Sequence, residues 1–329
     1  DLESPDIPDI IKEGVSCDIC HTMVNKSPSV HTPDNVAAVA QYYLNPGENV
    51  KYGSIQNPDC LIDTAHQSVY LPLFNLSSSC KPCHDQTIRG YPIETTVTQW
   101  ESDLGLTMLG PSCQDCHMPK ENGHSSHYFT GVDLLFYDGG LDNLQYERVI
   151  NLLKQAITID FEYFDGTDNQ VYIEENTLYI PIAINNLTGH KLPSGTSFSR
   201  EAWLELLVIN STNDTIYQKG LVLNSSDTLD YNDESLMLYT TILYDQENHL
   251  GNIIYEASNA LSYDDRTLRT LFYDTKTYSI SLEAEPQSQQ EFFIKARMLF
   301  RSFKPQMLDQ FHPEASGYLP IIQMDADSL

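Results

Sequence analysis

The chain has 329 residues, enough for two domains of ordinary size, and its 46 Asp and Glu against 18 Lys and Arg give a formal net charge of -28. Residues 1–150 hold 20 acids and 7 bases and residues 151–329 hold 26 and 11, so the charge belongs to the whole body and not to an acidic tail. Such a field repels phosphate backbones and anionic lipid, which excludes nucleic acid and membrane surfaces as expected partners, and no run approaches the ~20 apolar residues of a membrane-inserted helix.

The opening DLESPDIPDIIKEG is acidic and proline-bearing, the opposite of a signal peptide. The expectation is the mature form of an exported protein, its targeting segment already removed. The first chemistry-bearing stretch follows at once: CDICH, with Cys17, Cys20 and His21. It recurs as CKPCH (Cys80, Cys83, His84) and CQDCH (Cys113, Cys116, His117), so six of the seven cysteines fall in three copies of one pattern.

C-x-x-C-H is the attachment signature of c-type haem. Two thiols three residues apart reach the two vinyl groups on one porphyrin edge, and the next residue carries an imidazole under the ring as proximal iron ligand. Zinc fits less well, because finger-type sites place their histidines as a separate H-x₃₋₅-H pair. A redox C-x-x-C needs no histidine after it every time. The cofactors expected are therefore three haem c groups. Prokaryotes attach c-type haem outside the cytoplasmic membrane, so the compartment expected is extracellular or cell-surface.

Residues 1–140 read as a trihaem cytochrome c domain in which porphyrin replaces much of the apolar core. Short helices are expected at 34–44, after Thr32-Pro33, and at 96–103, with a capped first turn at SSSC before Cys80. The remainder reads as loops wrapped on haem. Each iron has a sixth position, and seven histidines remain to fill three. His66, His127 and His190 are the proposed distal ligands; His31 and His124 rank below them, as distal or inter-subunit ligands. His190 stands in GHKLPSG, a Gly- and Pro-punctuated loop between two strand patterns. His249 and His312 read as structural or exposed. Methionine is the other common sixth ligand, but Met118 is too near its own proximal histidine to reach the opposite face. Cys60 is left over, and three readings stand: a buried free thiol, an inter-chain disulfide, or a single-thioether anchor to a neighbouring haem.

From 141 the texture changes. LDNLQYERVINLLKQAITI carries apolar residues at helical spacing and is expected to be a linking helix over 141–158. Over 159–329 the pattern alternates: LYIPIAINN, EAWLELLVIN, TIYQKGLVLN, KTYSISLEAEP and EFFIKARMLF read as strands between polar turns such as NSTNDT. Short strands with Greek-key-length connections predict an all-β, Ig-like sandwich. FDGTDN offers either a solvated turn or a calcium loop. Sequons at Asn25, Asn75, Asn186, Asn210, Asn213 and Asn224 permit a glycoprotein.

Taken in order, GVSCDICHTM, KYGSIQNPDCLIDTAHQSVYLPLFNLSSSCKPCHD, YPIETTVTQWESD, CQDCHMP, SSHYFTG and GHKLPSGTSFSREAWLEL resemble one family. It is the family of exported multihaem c-type cytochromes whose haem domain is followed by a β-sandwich. The resemblance runs from about residue 14 to 209, with a weaker echo near ARMLFRSF. It implies distal ligands at His66, His127 and His190 and a role in electron transfer at the cell surface. Some relatives polymerise into extracellular filaments, several with more attachment motifs than the three here. The expected function is single-electron transfer through three bis-histidine haems, with other copies of the chain or other redox cytochromes as partners. A second reading is a multihaem reductase of a small oxyanion, which needs an open iron and basic residues to hold the anion. A third makes the sandwich a docking module for a larger surface complex.

Overall fold

The computed structural model describes residues 14–26, 42–47, 49–58, 65–88, 91–102, 110–134, 136–137, 140–164, 168–282, 291–315 and 318–329. His31, Cys60 and residues 34–41 of the expected helix lie outside them. The last three residues of that helix, Tyr42–Leu44, are instead a strand, paired with Met23–Lys26. Two tyrosines in a row suit a strand as well as a helix, and the pairing decides.

The N-terminal half is assembled from short pieces. They are α1 (Cys17–His21), β1 (Met23–Lys26), β2 (Tyr42–Leu44), β3 (Val50–Gly53), β4 (Gln67–Tyr70), β5 (Gln86–Ile88), β6 (Tyr91–Glu94), α2 (Thr96–Ser102), α3 (Cys113–His117), β7 (Lys120–Glu121) and β8 (His124–Ser125). The helix expected at 96–103 is α2. β3 and β4 run parallel, and the other pairs are antiparallel ribbons. Among the described residues up to 134, the buried apolar side chains are Met23, Ile93, Val97 and the ring of Pro82. That is too little apolar burial to offset the ordering entropy of so much chain.

The linking helix is shorter than its spacing suggests. α4 covers Asn143–Leu153, capped by Asp142, whose carboxylate accepts from Gln145 N–H at 2.7 Å. Ile157–Asp160 then forms strand β9. The alternation in ITI, with two β-branched isoleucines flanking a threonine, fits a strand edge, and pairing with a long neighbour outweighs helical spacing.

In the C-terminal half two antiparallel sheets enclose the main core, beside a smaller three-stranded sheet of Thr241–Tyr244, Ile253–Ile254 and Ser262–Asp265. In the first, β11 (Thr177–Asn186) lies between β15 (Tyr273–Ser281) on one side and the short strands β9 and β10 (Tyr172–Glu174) on the other. Pro181 falls in the gap between β9 and β10, where a missing N–H is tolerated. In the second, β12 (Glu201–Asn210) and β16 (Phe292–Arg301) pair along their whole length, flanked by β13 (Thr215–Lys219), β14 (Leu238–Tyr239) and β17 (Ile322–Ser328). The expected TIYQKGLVLN strand ends at Lys219. Gly220 turns the chain at φ +67°, and a Cβ there would collide with the Leu204 carbonyl. The KTYSISLEAEP strand is described to Leu282. Of FDGTDN, residues 165–167 lie outside the described part, and Asp168–Asn169 is a short strand.

Period-2 alternation sorts β12. Ala202, Leu204, Leu206 and Val208 join Ile180, Ile182, Ile184, Ala296 and Met298 in the core between the sheets. Trp203, on the opposite face, packs with Leu229, Tyr231 and Leu238 and donates to the Gly220 carbonyl at 2.9 Å. Glu201 and Arg301 face each other across the ladder, both buried, bonded at 2.6 Å.

Candidate haem sites

Motifs one and three are the single-turn helices α1 and α3, while motif two is not helical. Ser77–Ser79 is a 3₁₀ turn running straight into Cys80, and Ser79 donates to the Leu76 carbonyl at 2.8 Å without capping a helix. The expected capped turn at SSSC is thus replaced. α3 begins with a true capping box, in which Ser112 N–H donates to Asp115 at 2.7 Å. Those Ser112 bonds hold the Asp115 carboxyl below its ordinary range.

The three motifs converge. Cys113 N–H donates to Ser77 Oγ at 3.0 Å, and Gln114 Nε2 donates to the carbonyls of Phe74 and Leu76, fixing α3 to the turn before motif two. The Cys80 and Cys113 thiols are in hydrogen-bond contact, which pushes Cys113 down to about 7 and Cys80 up. Tyr42, from the strand beside motif one, lies with its hydroxyl 2.9 Å from Cys83 Sγ. The His21 ring is parallel to Phe74, with centroids 5.6 Å apart.

Each of two motif histidines is fixed from behind. His21 Nδ1 donates to the Tyr52 carbonyl and His117 Nδ1 to the Thr130 carbonyl, both at 2.6 Å. A carbonyl can only accept, so each Nδ1 carries a proton, and in the neutral tautomer Nε2 is the nitrogen left able to bind a metal. Each of these rings also faces a second imidazole. His21 and His127 have centroids 6.1 Å apart, and His117 and His190 have centroids 6.3 Å apart. Two metal–nitrogen bonds of about 2 Å, with about 1.1 Å from each nitrogen to its ring centre, call for a separation of about 6.2 Å. Both pairs fit one iron between them.

His190 is half-buried in the loop after β11. Its Nδ1 donates to the Lys191 carbonyl at 2.9 Å, and burial pushes its pKa down to about 4, so it is neutral near pH 7. Its own carbonyl accepts from Asn186 Nδ2 at 3.0 Å and Thr188 Oγ1 at 2.5 Å. Asn186 is therefore no glycan acceptor: it is 1% exposed, and its amide also donates to the Leu268 and Arg269 carbonyls.

His127 lies on an exposed strap braced by α4. Arg148 pairs with Glu121 at 2.7 Å and stacks over the Tyr128 ring at 3.9 Å. Phe129 has φ +46°, unusual for a bulky residue, and its ring meets His127 edge-on at 5.8 Å. The strap serves both pairs, since His127 faces His21 while Thr130 supplies the carbonyl behind His117. His66 is half-buried just before β4, the strand paired with the one that carries Tyr52. His124 is exposed in β8, and His249 is exposed and stacked on Tyr244 at 5.3 Å. The roles of Phe74, Tyr42, Thr130 and the α2 residues carried no sequence signal, because each acts through a carbonyl or a long-range contact.

Short helices and small ribbons around the C-x-x-C-H motifs, followed by paired sheets, resemble the fold of a multihaem c-type cytochrome. The particular likeness is to the crystal structure of a penta-haem cytochrome c552 from Thermochromatium tepidum, with a TM-score of 0.70 and 18% identity over 98% of this chain and 79% of that one. No family model matches the sequence, and no curated protein does.

Proposed function

We propose that the protein is an exported electron carrier that binds three c-type haems through Cys17/Cys20, Cys80/Cys83 and Cys113/Cys116, each iron closed by two imidazoles. The ligand sets are His21 with His127, His117 with His190, and His84 with His66. The observation that carries this reading is the pair of facing imidazoles at 6.1 and 6.3 Å, each on a proximal histidine whose Nδ1 is tied to a carbonyl. Bound haem iron supplies one-electron chemistry. The chain's own contribution is to hold and orient the imidazoles and to surround the centres with carboxylates, which favour the oxidised metal and lower its potential.

Apolar surface buried against porphyrin accounts for how the described part of residues 1–140 folds with so few buried apolar side chains. Residues 159–329 we read as an Ig-like sandwich that carries one ligand, His190, as well as covering the haem domain. Filled axial positions favour a carrier over a reductase. We assign it to the cell surface, with other copies of the chain in a filament, or other redox cytochromes, as partners. The test is the intact mass of the purified holoprotein together with carbon monoxide binding after reduction. Three added haem groups and no carbon monoxide adduct are expected; fewer groups, or ready binding, would refute the reading.

A further inference from the structure

The His117–His190 pair joins the two halves of the molecule, so its separation depends on how they are fastened. Helix α2 provides the fastening. Gln99 Oε1 accepts from Lys191 N–H at 3.2 Å and from Ser194 Oγ at 2.8 Å, while its Nε2 donates to Thr95 Oγ1 at 3.3 Å. Thr96 Oγ1 accepts from Gly195 N–H at 3.1 Å and bonds Ser194 Oγ at 2.7 Å. Gly189 lies so close to the Trp100 ring that a Cβ would come within 3.1 Å of it. The residues on either side of His190 are thus seated on one helix of the haem half, and Asn186 and Thr188 hold its carbonyl from the sandwich half.

We propose that Gln99 is a positioning residue for the sixth ligand, the group that registers His190 against the iron held by His117. One amide oxygen offers two lone pairs, and both are engaged by residues of the segment directly following the imidazole. This rests on the reading of His190 as a distal ligand. An apolar replacement of similar volume leaves Lys191 N–H without this acceptor and takes from Ser194 Oγ one of its two partners at a half-buried joint, so the loop shifts to recover them.

The test is electron paramagnetic resonance of the oxidised holoprotein, with carbon monoxide binding after reduction. In Gln99→Leu, a high-spin ferric signal amounting to at most one haem in three is expected, with a matching carbon monoxide adduct. Gln99→Glu keeps an oxygen that accepts both bonds and should remain low-spin and inert. If Gln99→Leu does not accumulate, Ser194→Ala removes one of the two bonds and should give a smaller high-spin fraction. His190→Ala is the control. If it opens one haem while Gln99→Leu or Ser194→Ala leaves all three closed, the positioning role is overturned. If His190→Ala itself leaves all three closed, the ligation reading fails and takes this proposal with it.

Discussion

The imidazoles of His117 and His190 face each other at 6.3 Å, one from the attachment half and the other from a loop of the sandwich. On the proposed ligation, the β-sheets complete a metal site that the haem half begins. His190→Ala should leave haem attachment intact, because the thioethers and His117 are untouched. It should open one iron, read as a carbon monoxide adduct of one haem in three. Loss of all three haems from the purified variant would contradict this division of labour.

His127 follows motif three in the chain, yet its ring faces His21 of motif one. His127→Ala should open the iron at Cys17/Cys20 and leave the one at Cys113/Cys116 closed. The assignment is checked by adding Cys17→Ser and Cys20→Ser, which remove that haem. The carbon monoxide adduct should then disappear. Its survival would place His127 on another iron.

Haem-free chain, produced where no attachment machinery exists, should be folded in part. Its sandwich keeps the core around Ile180, Leu204, Ala296 and Met298, whereas the N-terminal half has lost its apolar partner. Limited proteolysis should remove residues before about 140 and spare a β-rich fragment, with strand-type circular dichroism retained. Equal protection of both halves would show that porphyrin is not the missing core.

Lys304 is 1% exposed, donates to the Thr241 carbonyl at 2.8 Å and sits over the Tyr231 ring. Burial pushes its pKa down to about 8, against a partial opposing pull from Glu201. Between about pH 8 and the ordinary lysine range near 10.5, the unfolded chain holds a proton that the folded chain has released. Stability from this group therefore rises with pH across that window, by up to about 3 kcal/mol. In Lys304→Met the rise should vanish from urea unfolding curves compared pairwise at pH 8 and 10. An unchanged difference between the two pH values would contradict it.

The motifs were legible because covalent attachment fixes residue type and spacing locally: Cys17, Cys20 and His21 must be near neighbours whatever the rest of the chain does. Strands such as EAWLELLVIN were legible for a similar reason, their period-2 pattern being a local record of two faces. Pairing was not legible. Nothing near His127 distinguishes His21 from His117 as its partner, since long-range packing brings the strap across. Gln99 in TVTQWES looks like an ordinary helix residue, and its two acceptor bonds exist only once the sandwich is docked. At AITI the spacing satisfied helix and strand alike, and tertiary pairing with β11 settled it.

The proposed function requires imidazole at both axial positions of three irons. Electron paramagnetic resonance of the fully oxidised native holoprotein, with the spins counted, tests it most directly. Low-spin ferric signals integrating to three irons per chain are expected. A high-spin axial signal of one iron or more would contradict it.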